Sequence, residues 1–171
     1  MKYMGMILLT LLLLPLPAWS KDLSLFVIQR SKNANEVHYH LRVDDRCHLA
    51  SGAPVSAVWK LLEDSPEKTE SLSTFDQMAY GIEDQTVADN WVSFSLKALE
   101  QKRIKASATP TPQTGTCAPI AHTDINGQVA ILERIYVQTE EKFPKPKVVY
   151  IDLFGKSVDA SHTPVTERIT P

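Results

Sequence analysis

The chain has 171 residues, with 18 Lys plus Arg against 20 Asp plus Glu and a formal net charge of −2. Hydrophobic residues make up 43% of it, enough for one domain with its own core. The slightly acidic balance argues against a nucleic-acid partner, which needs a basic footprint.

The chain opens MKYMGMILLTLLLLPLPAWS. Lys2 supplies a positive start, Met6 to Leu14 an apolar core, and Ala18 and Ser20 place small residues before a cut after Ser20. This pattern predicts a secretory signal peptide over residues 1–20 and a single β-rich domain over 21–171. The apolar run is too short for a transmembrane anchor. No cysteine follows the cut site to take a lipid. The expected location is periplasmic or secreted.

LSLFVIQRSKNANEVHYHLRV, from Leu23 to Val43, reads as two strands joined by a polar turn. In the first, Leu23, Leu25 and Val27 share one face and Phe26 and Ile28 the other, so it belongs deep in the fold. Asn33 and Asn35 suit a tight loop that uses the left-handed region. In the second strand Val37, Tyr39, Leu41 and Val43 alternate with Glu36, His38, His40 and Arg42. One face is apolar and the other polar, as in a half-buried antiparallel strand. His38 and His40 sit roughly 6–7 Å apart on that polar face, from the strand rise. Two imidazoles at that spacing can reach one metal ion or one anion, although no third ligand is fixed by spacing. His38, His40 and Arg42, with Arg30 standing apart from the row, are the candidate binding residues.

DDRCHLASGAP is turn chemistry around Cys47. Asp44 and Asp45 are the nearest additional acids to the two histidines. Cys47 and Cys117 are the two cysteines of the chain. In an oxidising compartment they are expected to form a disulfide. The alternative is a reactive thiol at Cys47 beside His48, but adjacent strand residues point to opposite faces.

PVSAVWKLLE reads as a buried strand, with Val55, Ala57, Trp59 and Leu61 on one face. EDSPEKTES is an exposed loop. LSTFDQMAYG is the one predicted helix: Leu72, Phe75 and Ala79 share a face, Ser73 and Asp76 form a capping box, and Gly81 stops it. NWVSFSLKAL alternates, with Val92, Phe94 and Leu96 facing in and Ser93, Ser95 and Lys97 facing out. EQKRIKASA pairs with it. Lys97, Lys102, Arg103 and Lys105 make a local basic cluster with the character of a solvated strand pair. TPTPQTG is expected to be an extended, mobile loop.

Asn126-Gly127 is a strong two-residue hairpin signal. The strand after it, Val129 to Thr139, carries Glu133 among apolar residues on one face and Arg134 on the other. That pattern predicts a bend or a passage from core to edge. Paired with an arginine Glu133 is structural; unpaired in a cavity it is a functional carboxylate with a raised pKa. EKFPKPK is a stiff basic loop, VVYIDLFG a strand ended by Gly155, and TPVTERITP a last edge strand.

These signals add up to an all-β fold: a single antiparallel β-sandwich or flattened β-barrel of about nine strands with one short helix. There is no G-x-S-x-G, H-E-x-x-H, C-x-x-C or phosphate-binding glycine loop. No cofactor is expected and no catalytic residue is assigned. The leading reading is a monomeric binding module of the cell envelope whose partner is a ligand or a protein. The alternatives are an unrecognised metal-dependent or hydrolytic enzyme, with His38, His40 and Asp44 or Asp45 as its candidates, and an assembly partner that pairs through an edge strand.

RSKNANEVHYHLRV, PVSAVWKL, the Ala79-Tyr80-Gly81 turn, LERIYVQ and VVYIDLFGK together resemble a family of small exported bacterial proteins known only as a domain of unknown function. The resemblance covers nearly the whole chain after the leader. It implies no activity and no catalytic residues.

Overall fold

The computed structural model describes residues 20–65, 67–142 and 146–170. The expected leader, apart from Ser20, lies outside the described residues, as do Phe143 to Lys145 of the basic loop. The described residues form eleven strands and one helix. The strands run β1 (Lys21–Arg30), β2 (Glu36–Val43), β3 (Val55–Lys60), β4 (Thr69–Ser71), β5 (Ile82–Ala88), β6 (Trp91–Leu96), β7 (Leu99–Pro110), β8 (Cys117–Ile125), β9 (Gln128–Glu140), β10 (Lys147–Ser157) and β11 (Pro164–Ile169). Helix α1 (Thr74–Tyr80) lies between β4 and β5.

All eleven strands belong to one strongly curled sheet. It is mixed, not purely antiparallel as the hairpin signals suggested, because β1 pairs with β9 in parallel. Strand β9 organises it. Along one edge β9 pairs with β10, which carries β11. Along the other it pairs first with β8, through residues 128–131, and then with β1, through residues 134–137. Two arms therefore leave the same edge of β9: a first arm β1–β2–β3–β4 and a second arm β8–β7–β6–β5.

The arms part at Glu133. Phe154 of β10 pairs with Arg134 and Gly155 with Leu132, so Glu133 is an extra residue, a β-bulge. The bulge resets which side chains face in. Ala130 and Leu132 are buried before it, Ile135 and Val137 after it. The acid and base that break the apolar pattern mark the bend that the sequence predicts. Gly155 sits opposite, and a Cβ there would run into the Ile131 carbonyl and the Ile125 side chain.

The core lies between the arms. Val37, Tyr39, Leu41 and Val43 of β2 meet Val92, Phe94 and Leu96 of β6 and Ile104, Ala106 and Ala108 of β7, all nearly inaccessible to solvent. Phe26 stacks on Tyr39 at 4.6 Å between ring centroids. Burial of apolar surface at roughly 25 cal/mol per Å² is the main force closing the arms. Ser93 and Ser95, expected to face solvent, are buried as well. Ser93 Oγ accepts from Arg103 Nε at 2.8 Å, so a neighbouring strand covers it.

Polar contacts join the arms. The Cys47–Cys117 disulfide has formed, with 5.5 Å between Cα atoms. It removes the reactive-thiol alternative. Asn90 Nδ2 reaches the Cys47 and Ala108 carbonyls. The Gln85 side-chain amide pairs with both backbone groups of Val55, at 3.0 and 3.1 Å, as a strand would.

Helix α1 touches the core through Tyr80, whose carbonyl accepts from the Tyr39 hydroxyl at 2.7 Å and whose ring meets Trp59 edge-on. Its capping box is present: Asp76 N donates to Ser73 Oγ and Ser73 N to the Asp76 carboxylate. Gly81 ends it in extended conformation, where a Cβ would meet the Gln77 carbonyl. The helix does not bury the face expected of it. Leu72, just before it, is buried, but Phe75 is 63% exposed. Asp76 is a second anchor. Partial burial raises its pKa, yet the Ser73 hydroxyl, the Trp59 indole and the Arg30 guanidinium around it hold the carboxyl below its ordinary value.

Three further expectations change. Strands β4 and β5 were not legible. Asn33 and Asn35 do not take positive φ; Asn33 accepts from Arg30 and Asn35 from the Glu63 amide, tying two loops together. The Thr/Pro loop is a closed turn, with Thr111 N donating to Thr116 O at 2.8 Å and Gly115 at φ 65°.

Candidate functional site

The outer face of the first arm continues without a break onto β9, β10 and β11. Register alone sets one row across it: Val58, His38, Val27, Arg134, Phe154 and Thr166 are successive neighbours. The next row holds Tyr136, Asp152 and Arg168. The alternation of β2 puts His38 and His40 on this face, and the bulge at Glu133 turns Arg134 onto it.

A chain of hydrogen bonds runs across three strands. Arg134 Nη1 donates to Gln29 Oε1 at 2.8 Å. Gln29 Nε2 donates to Glu36 Oε1 at 2.6 Å. His38 Nε2 donates to the other Glu36 oxygen at 2.8 Å. Burial opposes ionisation of Glu36, but the bonds from Gln29 and His38 outweigh it and hold the carboxyl below its ordinary value. His40 lies 6.3 Å from His38, ring centroid to centroid, as the strand rise predicts. Its Nδ1 is buried without a hydrogen-bond partner. Burial first, and then the neighbouring His38, push its pKa down, against a smaller opposing pull from Asp22, so the ring stays neutral at pH 7.

Arginines stacked on rings extend the face. The Arg134 guanidinium lies 4.0 Å from the centre of the Phe154 ring and Arg168 lies 3.8 Å from that of Tyr150. Arg168 also holds Asp152 through two bonds of 2.7 Å, which lowers the Asp152 pKa. Tyr136 sits 6.4 Å from Tyr150. Sequence reasoning missed Gln29, Arg134, Tyr136, Tyr150, Phe154 and Arg168 as one group. The parity of each strand was readable, but the parallel β1–β9 pairing that brings them together was not.

The other candidates separate. Arg42 is on the same face, paired with Asp22 at 2.9 Å. Arg30 is on the opposite, inner face, lying over the Trp59 ring at 4.3 Å beside helix α1. Glu133 is half-exposed and paired with Lys156, not with an arginine. Asp44 is consumed in the turn that presents Cys47, accepting from the Arg46 and His48 amides. Asp45 pairs with Lys21. Among the described residues no group of three or more His, Cys, Asp or Glu is placed to hold a metal ion. Nor is any described helix long and apolar enough to cross a membrane.

A disulfide-tied, mostly β domain with a polar and aromatic sheet face is the class of protein that fold and site define. Residues 26–168 match the family described as Domain of unknown function (DUF4833), and the chain belongs to that family. Every stretch that carried the resemblance lies within the matched segment. No curated protein and no solved structure matches the chain.

Proposed function

We propose that this is an extracytoplasmic binding module that docks a protein of the cell envelope on the outer face of its first arm. We read its body as a flattened barrel left open between β3 and β5, with the Gln85 amide clasping the gap. The observation that carries the docking reading is the continuity of the His38–Glu36–Gln29–Arg134 chain with the two arginine-on-ring pairs on one sheet face.

Arginine and tyrosine are the residues that anchor protein interfaces. Here their side chains are already held by neighbours, so little rotamer freedom is left to lose on binding. Cations and acids alternate along the face, which suits a protein surface of mixed charge better than a single charged ligand. The disulfide and the signal-like leader support placement outside the cytoplasm.

The test is native mass spectrometry of untagged protein purified from its own cells, beside an Arg134→Ala/Phe154→Ala variant. The wild type is expected to carry one partner chain in fixed ratio and the variant to lack it. A partner retained by the variant, or a bare monomer for the wild type, would overturn the proposal.

A further inference from the structure

The second arm carries a different kind of surface. Two adjoining hollows on its outer face share Lys105 and His122. The larger, of about 480 Å³, is lined by Arg103, Lys105, His122, Thr123, Asp124, Val129 and Val158. The smaller, of about 300 Å³, adds Trp91, Ala106 and Ser107. Val129 is 61% exposed and Val158 52%, so two of the most exposed aliphatic side chains among the described residues line one groove. Register explains the assembly: Lys105 pairs with His122, His122 with Ile131, and Asp124 with Val129.

The charges around this apolar floor are lopsided. Arg103 is committed to Ser93 Oγ, to the Asp84 carbonyl and, at 3.8 Å, to the Asp84 carboxylate. Asp124, the one acid in the lining, is engaged by Lys102, which also holds Glu167 at 2.7 Å. Among the described residues neither Lys105 nor His122 has an acidic partner. The Lys105 amine rests 5.1 Å from the centre of the Trp91 ring. An exposed apolar groove with a few convergent polar groups is the usual form of a small-molecule site.

We infer that this groove binds a small anionic amphiphile, with a carboxylate held by the Lys105 amine and the His122 imidazole N–H and an aliphatic chain on Val129 and Val158. Charge complementarity selects the sign of the head group, and the exposed valines select the tail. The concave shape favours a single molecule over a bilayer. The site is independent of the docking face on the first arm.

The probe is decanoate, titrated into the full mature chain and followed by amide shifts in NMR and by Trp91 fluorescence. Shifts are expected at residues 103–107, 120–124, 129 and 158, saturating and weakening as salt screens the head group. Decyltrimethylammonium, with the same tail and the opposite charge, should leave them unmoved. Lys105→Glu should weaken decanoate binding by about tenfold, and Val158→Asp should weaken it at unchanged stability. Equal shifts from both amphiphiles would overturn the proposal by removing the charge selection. So would no saturation with decanoate, or binding to anionic vesicles alone, which would mark a membrane surface instead.

Discussion

On the outer face of the first arm each of these polar side chains is held by a neighbour: Arg134 by Gln29 and Phe154, Arg42 by Asp22, His38 by Glu36, Arg168 by Asp152 and Tyr150. On the second arm Lys105 and His122 stand over two exposed valines, and the one acid of the lining, Asp124, is engaged by Lys102. Both arms leave the same edge of β9 and share one core, yet one face is a fixed lattice and the other an open groove. The difference lies in neighbours. The first arm continues through the parallel β1–β9 pairing onto Tyr136, Tyr150 and Phe154, whereas the second meets β9 at Val129, near its hairpin end. A face backed by many ordered side chains suits a large, rigid partner. A groove with one unpaired cation, Lys105, over an apolar floor suits a small one.

The Cys47–Cys117 disulfide staples the two arms together. Replacing both cysteines by serine removes a cross-link spanning 70 residues. The expected loss is about 4 kcal/mol in the chain-entropy model, read by denaturant unfolding. An unchanged midpoint would mean that the staple does not hold the arms.

Gly155→Ala attacks the corner where the arms diverge. Its Cβ would press on the Ile131 carbonyl, and a loss of about 3 kcal/mol is expected from the forced backbone shift. The same unfolding assay checks it, and a neutral result would contradict the close packing at the bulge. At the open seam, Gln85→Ala removes two bonds to Val55. About 2 kcal/mol should be lost, with faster amide exchange at Val55 and slow exchange kept in β9.

The smallest effect compares one histidine on each arm. His40 is held below its ordinary value by burial and then by His38, and His122 by burial. The unfolded chain therefore takes up these protons first. Their contribution is complete above about pH 6.5 and falls as pH drops through that value toward the lower folded one. His40→Asn and His122→Asn should each flatten the fall in stability below neutrality. A slope unchanged by both would contradict the depressed values.

Much of this was legible in the chain. The β2 alternation gave the buried row from Val37 to Val43. The disulfide followed from two cysteines behind an export-like leader. Asn126 and Gly127 both take positive φ in the turn they announced. Ser73 and Asp76 cap the helix as their spacing requires. Strand β5 was illegible because Asp84 at φ 52° and the register shift after Glu83 destroy its period of two. Strand β4 has only three residues, all exposed, so no apolar pattern marked it. Phe75 misled because α1 is held through Asp76 and Tyr80, not through the face that Phe75 occupies. For the candidate site, His38 and His40 were visible locally. Arg134 and Phe154 were not, because a parallel pairing between residues about a hundred apart in sequence leaves no mark in either strand. Arg30 falls on the inner face because it shares the parity of Phe26 and Ile28, which face the core.

On the reading proposed above, the outer face of the first arm meets a protein partner. The most direct measurement places a photo-crosslinking amino acid at Val58 or Thr166, the two ends of the His38–Arg134–Phe154 row, and at Thr109 on the second arm as control. After irradiation of living cells, one adduct of defined mass is predicted from both row positions, absent at Thr109 and lost when Arg134→Ala/Phe154→Ala is added. An adduct equally strong from Thr109, or none from either end of the row, would contradict it.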